Sequence, residues 1–557
     1  MTDSENVQTR LISSSSLVPN KLVVGINNRD PRYHDLFKVD LGTKTKEPIL
    51  QNDQFIGFVF DNNLDLRLAI KENERAGMEY YKPVRSPYQN KTTWELYKRV
   101  NMADALYATM PNGFDSTNTK LYWLSSEGRN LNALYETDFQ KPFQKRLIYA
   151  AKRGDIEAVW MHPTQKRPLA VVEKFDYPEY IVLEPMIVAD MQYLKNLEDR
   201  GRPLITDTTL DFDTWLVTWI SDNAPAKYYL YKRREKRAVF LFSSNEKLAA
   251  HQHAKTTPIS VTTRDGYAQI CYLTVPAQYD LNAVPMSTVT SRMARMTTQP
   301  LPMVLMVHGG PWFRDSWGFD GSVQLFANRG YSVLQCNFRG STGYGKIWQT
   351  AGNLEWGRKM HYDLLDGVEW AIGARVADPT RIAIYGGSYG GYAALAGLAF
   401  TPDIFACGVD ICGVSNLITF LKSIPPYWKP LLNTFTSRIG DHRTPQGQQL
   451  LRNRSPYYSA QNIKKPLFIA QGANDPRVKR NESDSLVEQM SKLRIPVTYV
   501  LFPDEGHGFR KPENRLANLA LIENFLKSCL KGKAESVGND LRQSSAKIIE
   551  NGNLDLV

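Results

Sequence analysis

One serine in this chain stands where a nucleophile would: Ser388, in Arg381-Ile-Ala-Ile-Tyr-Gly-Gly-Ser-Tyr-Gly-Gly-Tyr392. The pattern is G-x-S-x-G, with a short β-branched run before it and the small-residue segment Ala393 to Phe400, read as a helix, behind it. Only glycines fit so tight a strand-to-helix turn. The turn lifts the Ser388 hydroxyl above a sheet and leaves the Tyr389 backbone N–H free to meet an oxyanion. The chemistry implied is attack on a carbonyl through a covalent acyl intermediate. Five residues alone would mean little, since glycine and serine are common; the flanking strand and helix give the match its weight.

Such a serine needs an acid and then a histidine, in that chain order. Of the eight histidines (34, 162, 251, 253, 308, 361, 442 and 507) only His442 and His507 follow Ser388. His507 lies in Pro503-Asp-Glu-Gly-His-Gly-Phe509, directly after the strand-like Pro496 to Phe502, and α/β sheets place their chemistry at such strand ends. Asp475 follows another buried strand, Pro466 to Gly472. Asp475 beside Pro476 would alone read as a turn residue, and His442, in Gly440-Asp-His-Arg443, as a surface turn. His442 also precedes Asp475, which breaks the order. The triad expected is therefore Ser388, Asp475 and His507. The strand Leu301 to Val307 ends in His308-Gly309-Gly310-Pro311, so Gly309 or Gly310 supplies a second oxyanion donor beside Tyr389. His308 has no companion at ligand spacing, and no metal is expected. Gly340-Ser-Thr-Gly-Tyr-Gly-Lys346 imitates a phosphate loop, but Ile347 stands where the Mg²⁺-binding hydroxyl belongs; the turn is expected to shape the rim of the active site.

The elements that must hold these residues form a doubly wound, mostly parallel α/β-hydrolase sheet. Together Arg264-Asp-Gly266, His308-Gly-Gly-Pro311, Asn337-Phe-Arg-Gly-Ser-Thr-Gly-Tyr-Gly345, Gly386-Gly-Ser-Tyr-Gly-Gly-Tyr392, Asn474-Asp475 and Gly506-His-Gly-Phe509 resemble the prolyl oligopeptidase family of serine peptidases, most of all its acylaminoacyl-peptidase and dipeptidyl-peptidase branches. The resemblance runs over about residues 255–533. It implies a C-terminal α/β-hydrolase domain capped by an N-terminal β-propeller, cleavage of short peptides, and a substrate pocket lined by Tyr392 with Tyr427 or Trp428.

Residues 1–250 carry short alternating segments between turns, such as Asp35 to Leu41, Lys120 to Leu124 and Lys227 to Tyr231, as propeller strands would. At roughly 40 to 50 residues per blade they make about five blades, where the resemblance implies roughly seven or eight. The propeller is therefore expected to be N-terminally short and incomplete, with exposed strand edges. The start, Met1 to Ser16, is polar and unpatterned. No Glu-Glu pair that would grip a substrate amino terminus stands out. A polar linker, 244–258, separates the domains; His251 and His253 within it lack a third ligand. Residues 534–557 read as a loosely held polar tail.

Composition bounds the rest. With 557 residues and 42% hydrophobic content, two domains are the natural division. No apolar run is long enough to span a membrane, and the start has no basic-then-apolar leader. The net charge of +11 is spread along the chain, without a nucleic-acid motif. The five cysteines (271, 336, 407, 412 and 529) are expected as buried thiols in a reducing, cytoplasmic setting, unless a leader was lost with a truncated start. Partners expected are short peptides, without nucleic acid, membrane or cofactor; a homo-oligomer is left open. The function expected is a serine peptidase. The alternatives are an esterase or acylamide hydrolase on the same triad, an inactive propeller-bearing interaction protein, or a nonfunctional fragment.

Overall fold

The computed structural model describes residues 7–85, 92–106, 108–280 and 297–552; the first six residues of the polar start and the last five of the tail lie outside them. Alternating strands between turns build five antiparallel sheets in succession. Their strands run Thr9–Ser14 to Lys46–Leu50, Gly57–Phe60 to Thr92–Val100, Met110–Phe114 to Lys141–Ala150, Ile156–Met161 to Pro178–Val182, and Arg202–Thr208 to Arg237–Ser243. These are five propeller blades, of which the fourth has three strands and the others four. Aromatic contacts bind neighbours: Tyr80 of blade 2 meets Trp123 of blade 3 at 5.0 Å, and Trp160 of blade 4 meets Trp215 of blade 5 at 4.9 Å. The segment expected to be unpatterned contains the strand Thr9–Ser14, paired with Lys21–Asp30.

The second domain is one nine-stranded sheet. Its strands are β1 (Lys255–Thr262), β2 (Ala268–Val275), β3 (Leu301–Val307), β4 (Ser332–Cys336), β5 (Ala377–Gly387), β6 (Cys407–Ile411), β7 (Leu467–Gly472), β8 (Thr498–Phe502) and β9 (Lys547–Glu550), in spatial order 1-2-4-3-5-6-7-8-9. From β4 through β8 neighbours run parallel. Parallel strands are covered on both faces and so read as continuous apolar runs. Period two sorts them. Met303, Leu305, Ile469 and Leu467 face the layer holding helices α2 (Lys359–Gly373), α3 (Tyr389–Phe400) and α5 (Asn481–Lys492). Val304, Phe468 and Ala470 face the layer of α1 (Gly321–Asn328) and α6 (Pro512–Leu530). A further short helix, α4 (Leu432–Ile439), borders the propeller.

Two expectations fail here. The C-terminal segment is not a loose tail: β9 pairs antiparallel with β8, and Ile548 packs on the α6 layer. An otherwise open sheet edge needs only one inward apolar residue on the added strand to be covered, too little for composition to reveal. Nor are the cysteines all thiols. Cys271 and Cys336 stand opposite each other in the β2–β4 register and form a disulfide; Cys407 on β6 bonds Cys529 on α6. Cys412 is the free cysteine.

Candidate active site

Because β3 and β4 lie to one side and β5 to β8 follow on the other, the chain reverses direction between β3 and β5, which is where such sheets open a crevice for ligands. Ser388 is the residue between β5 and α3. Its φ is +59°, a conformation that ordinary side chains hold only when their surroundings force it. The surroundings are backbone. A Cβ on Gly390 would lie 2.1 Å from the Val307 carbonyl oxygen, and one on Gly386 2.5 Å from the Gly390 carbonyl carbon. The first turn of α3 thus rests directly on β3. The Ser388 N–H donates to the Ile411 carbonyl at 2.8 Å. The Tyr389 ring is clamped between Phe338 and Trp356, at 5.1 and 4.5 Å. Gly309 approaches the serine, with its Cβ position 3.5 Å from Ser388 Cβ, and Gly310 lines the same hollow.

Asp475 and His507 come from the loops after β7 and β8. Asp475 Oδ1 accepts the N–H groups of Arg477 and Val478, at 2.8 and 3.0 Å; Oδ2 lies 2.7 Å from His507 Nδ1. The carboxylate can only accept, so Nδ1 carries the proton and Nε2 keeps a lone pair. Glycines let the loops meet: a Cβ on Gly472 would lie 2.1 Å from the Gly506 carbonyl oxygen. Glu505 secures the return of the histidine loop by accepting from Arg510 and Lys511 N–H, each at 2.9 Å. Among the described residues no hydrogen bond joins Ser388 to His507, a contact that often closes only when substrate is bound.

Beside Ser388 is a narrow hollow walled by Trp312, Trp356, Phe420, Trp428 and Phe435, with Arg477 at its side. The Arg477 guanidinium lies 5.7 Å from the Trp428 ring. Of the three residues expected at a substrate pocket, Trp428 lines this hollow, and Tyr392 and Tyr427 do not. Tyr392 is one helical turn past Ser388 on a helix buried all round, so its ring goes under the elbow, where its hydroxyl donates to the Arg454 carbonyl at 2.8 Å. Tyr427 touches Trp428 edge-on from outside, at 6.1 Å. His308 stacks on Phe338 at 4.5 Å, and burial lowers its pKa to about 4, so it stays neutral. His442 stands apart, its carbonyl accepting from Gln448. Asp410, at the end of β6, is buried behind the elbow. Its Oδ1 has no hydrogen-bond partner and burial raises the carboxyl to about 7.

Two links to the propeller were not read from the sequence. Helix α4, which carries Phe435, starts at Leu431 without a side-chain cap. Glu72 of blade 2 supplies one, accepting from the Asn433 and Thr434 N–H groups at 3.1 and 2.8 Å, where a helix start also favours negative charge. The turn 340–346, expected at the rim of the active site, is a docking element instead. Lys346 Nζ donates to Asp104 at 2.6 Å and to the Ser126 carbonyl at 2.9 Å, and the Gly345 N–H donates to Asp155 at 3.0 Å. Glycines and a lysine there serve a buried polar joint, which looks the same in sequence as a turn for phosphate.

Fold and site define a class: an α/β-hydrolase serine enzyme capped by a propeller. The comparisons agree. The model of the prolyl oligopeptidase family matches residues 317–533. The chain is 41% identical over 548 residues to dipeptidyl peptidase family member 6 of Caenorhabditis elegans, covering 97% of this chain and 74% of that one. It is 41% identical over 531 residues to dipeptidyl aminopeptidase BIII of Pseudoxanthomonas mexicana, covering 95% and 74%. The crystal structure of a puromycin hydrolase superposes with a TM-score of 0.71 over 94% of this chain and 79% of that one, at 17% identity, a likeness of fold. This chain belongs to the prolyl oligopeptidase family and is a serine peptidase.

Proposed function

We propose that the chain cleaves short peptides at Ser388, with His507 as general base and Asp475 as the group that fixes its tautomer. Ser388 Oγ attacks the scissile carbonyl as His507 Nε2 takes its proton. Asp475 stabilises the imidazolium, and the proton then passes to the leaving amine. The tetrahedral oxygen sits between the Tyr389 N–H and a glycine N–H at 309 or 310, each donor worth about 3 to 4 kcal/mol. Water then hydrolyses the ester by the same route. The observation that carries this is the 2.7 Å contact of His507 with Asp475, in loops at the same carboxyl ends of the strands as a serine held at positive φ. The aromatic hollow takes an apolar side chain next to the scissile bond. A fluorophosphonate probe is expected to label wild type and not Ser388→Ala, and a peptide library read by mass spectrometry should be cut by wild type alone. Equal cutting by both proteins would remove Ser388 from the role.

Removal of dipeptides is a second reading, favoured by the names of the two relatives that match across nearly the whole chain. In the same library it predicts cuts two residues from the amino terminus and none in amino-blocked peptides. Faster turnover of p-nitrophenyl esters than of peptide anilides would instead favour the esterase reading. We further propose that residues up to about 250 form the propeller body and that the peptidase body, expected over 255–533, extends through the strand Lys547–Glu550, so that limited proteolysis cuts first within 244–258. Two disulfides favour an oxidising compartment over the cytoplasm. Alkylation of the denatured, unreduced chain should then modify Cys412 alone; five modified cysteines would restore the cytoplasmic expectation.

A further inference from the structure

Cys412 follows β6 immediately, at φ +51°, and its thiol is buried and free. Its N–H donates to the Ala470 carbonyl on β7 at 2.9 Å, so its backbone is fixed to the strand that leads to Asp475. The sulfur lies beside the pair described above: a ligand atom from each of Cys412, Asp475 and His507 falls within 4.8 Å of the other two. Among the described residues this is the one such grouping of sulfur, nitrogen and oxygen donors.

We propose that Cys412, Asp475 and His507 form an inhibitory site for a borderline-soft divalent cation, with zinc as its probe. The donor set decides the class of cation. Thiolate, imidazole and carboxylate suit zinc and cobalt in tetrahedral geometry with a fourth position left for water, whereas magnesium and calcium require six or more oxygens. On binding, the Cys412 S–H bond breaks and its proton goes to solvent as sulfur bonds the metal. His507 gives Nδ1 to the metal and its N–H moves to Nε2. One proton leaves per cation and no oxidation state changes. A ring protonated at Nε2 cannot accept the Ser388 proton, and the peptidase stops. The Nδ1–Oδ2 contact must open from 2.7 Å to about 3.4 Å to admit a tetrahedral ion, a shift within reach of a histidine flanked by Gly506 and Gly508.

This rests on the proposed triad, and the test separates the two. In the full chain, Co²⁺ should give a thiolate-to-metal charge-transfer band in wild type and in Ser388→Ala, and none in Cys412→Ala. Zn²⁺ should inhibit peptide-anilide hydrolysis by wild type reversibly, with recovery on adding chelator, while Mg²⁺ has no effect. With each protein normalised to its own metal-free rate, Cys412→Ala should need at least tenfold more Zn²⁺. Should Cys412→Ala not fold, Cys412→Ser, which trades soft sulfur for oxygen, replaces it with the same expectation. A cobalt band that survives loss of the sulfur, or equal zinc sensitivity with and without it, overturns the site, as does a wild type with neither band nor inhibition. A Ser388→Ala protein that still hydrolyses peptide would instead overturn the triad, leaving the cobalt result standing.

Discussion

Asp475 divides its work between its two oxygens: one is fixed by two backbone N–H groups, and the other faces His507. Asparagine in its place would keep the backbone anchor while presenting an amide that stabilises the wrong tautomer. Asp475→Asn is therefore expected to lower kcat by about 10⁴-fold with little change in melting temperature; a loss under tenfold would argue against the role. Asp410 behaves differently, because its carboxyl is raised by burial to about 7. Below an unfolded pKa of about 3.9 it is protonated in both states. Between there and about 7 the folded state holds the proton more tightly, so its share of stability falls as pH rises through that window and is level above it. Asp410→Asn cannot titrate. The melting temperature of wild type minus that of the variant should decline from pH 4 to pH 7, and a flat difference would show that Asp410 is ionised throughout. Ser388, Asp475 and His507 could be singled out as candidates because each follows a strongly apolar strand and has glycine nearby. Tyr392 misled because the same helix periodicity that puts it near Ser388 in sequence turns it beneath the elbow.

At the scale of elements, the turn between β5 and α3 depends on what glycine lacks. Gly390→Ala would drive a methyl group into the Val307 carbonyl, 2.1 Å away. Neither β3 nor α3 can retreat without opening the core, so the variant should lose about 3 kcal/mol or more and, where it folds, react slowly with the fluorophosphonate. Unchanged melting and labelling would mean that α3 does not rest on β3. The strands of the parallel sheet could be read from their apolar runs, and the blades from alternation between turns. β9 could not, because four residues with one inward isoleucine carry no pattern until β8 stands beside them. The disulfides were hidden for a related reason: which cysteines oppose one another depends on β2 and β4 being neighbours, and strand order is not written in spacing.

Across the whole molecule, the propeller and the peptidase domain meet through a few buried polar joints. Lys346 neutralises Asp104, whose side chain is only 4% exposed. Lys346→Ala would leave that carboxylate buried without its cation, at a cost of about 3 to 5 kcal/mol to the docked arrangement. Faster proteolysis within 244–258 and improved turnover of longer peptides are the expected readouts; an unaltered digestion rate would place the docking energy elsewhere. Sequence could place the two bodies but not their joints, since a glycine-rich turn does not announce its partner. The cap that Glu72 gives to α4 ties a wall of the substrate hollow to blade 2. An inherited or laboratory change at position 72 would thus surface in an assay as an altered taste for side chains. A survey that ranks variants by their distance along the chain from the nucleophile would file that change as harmless.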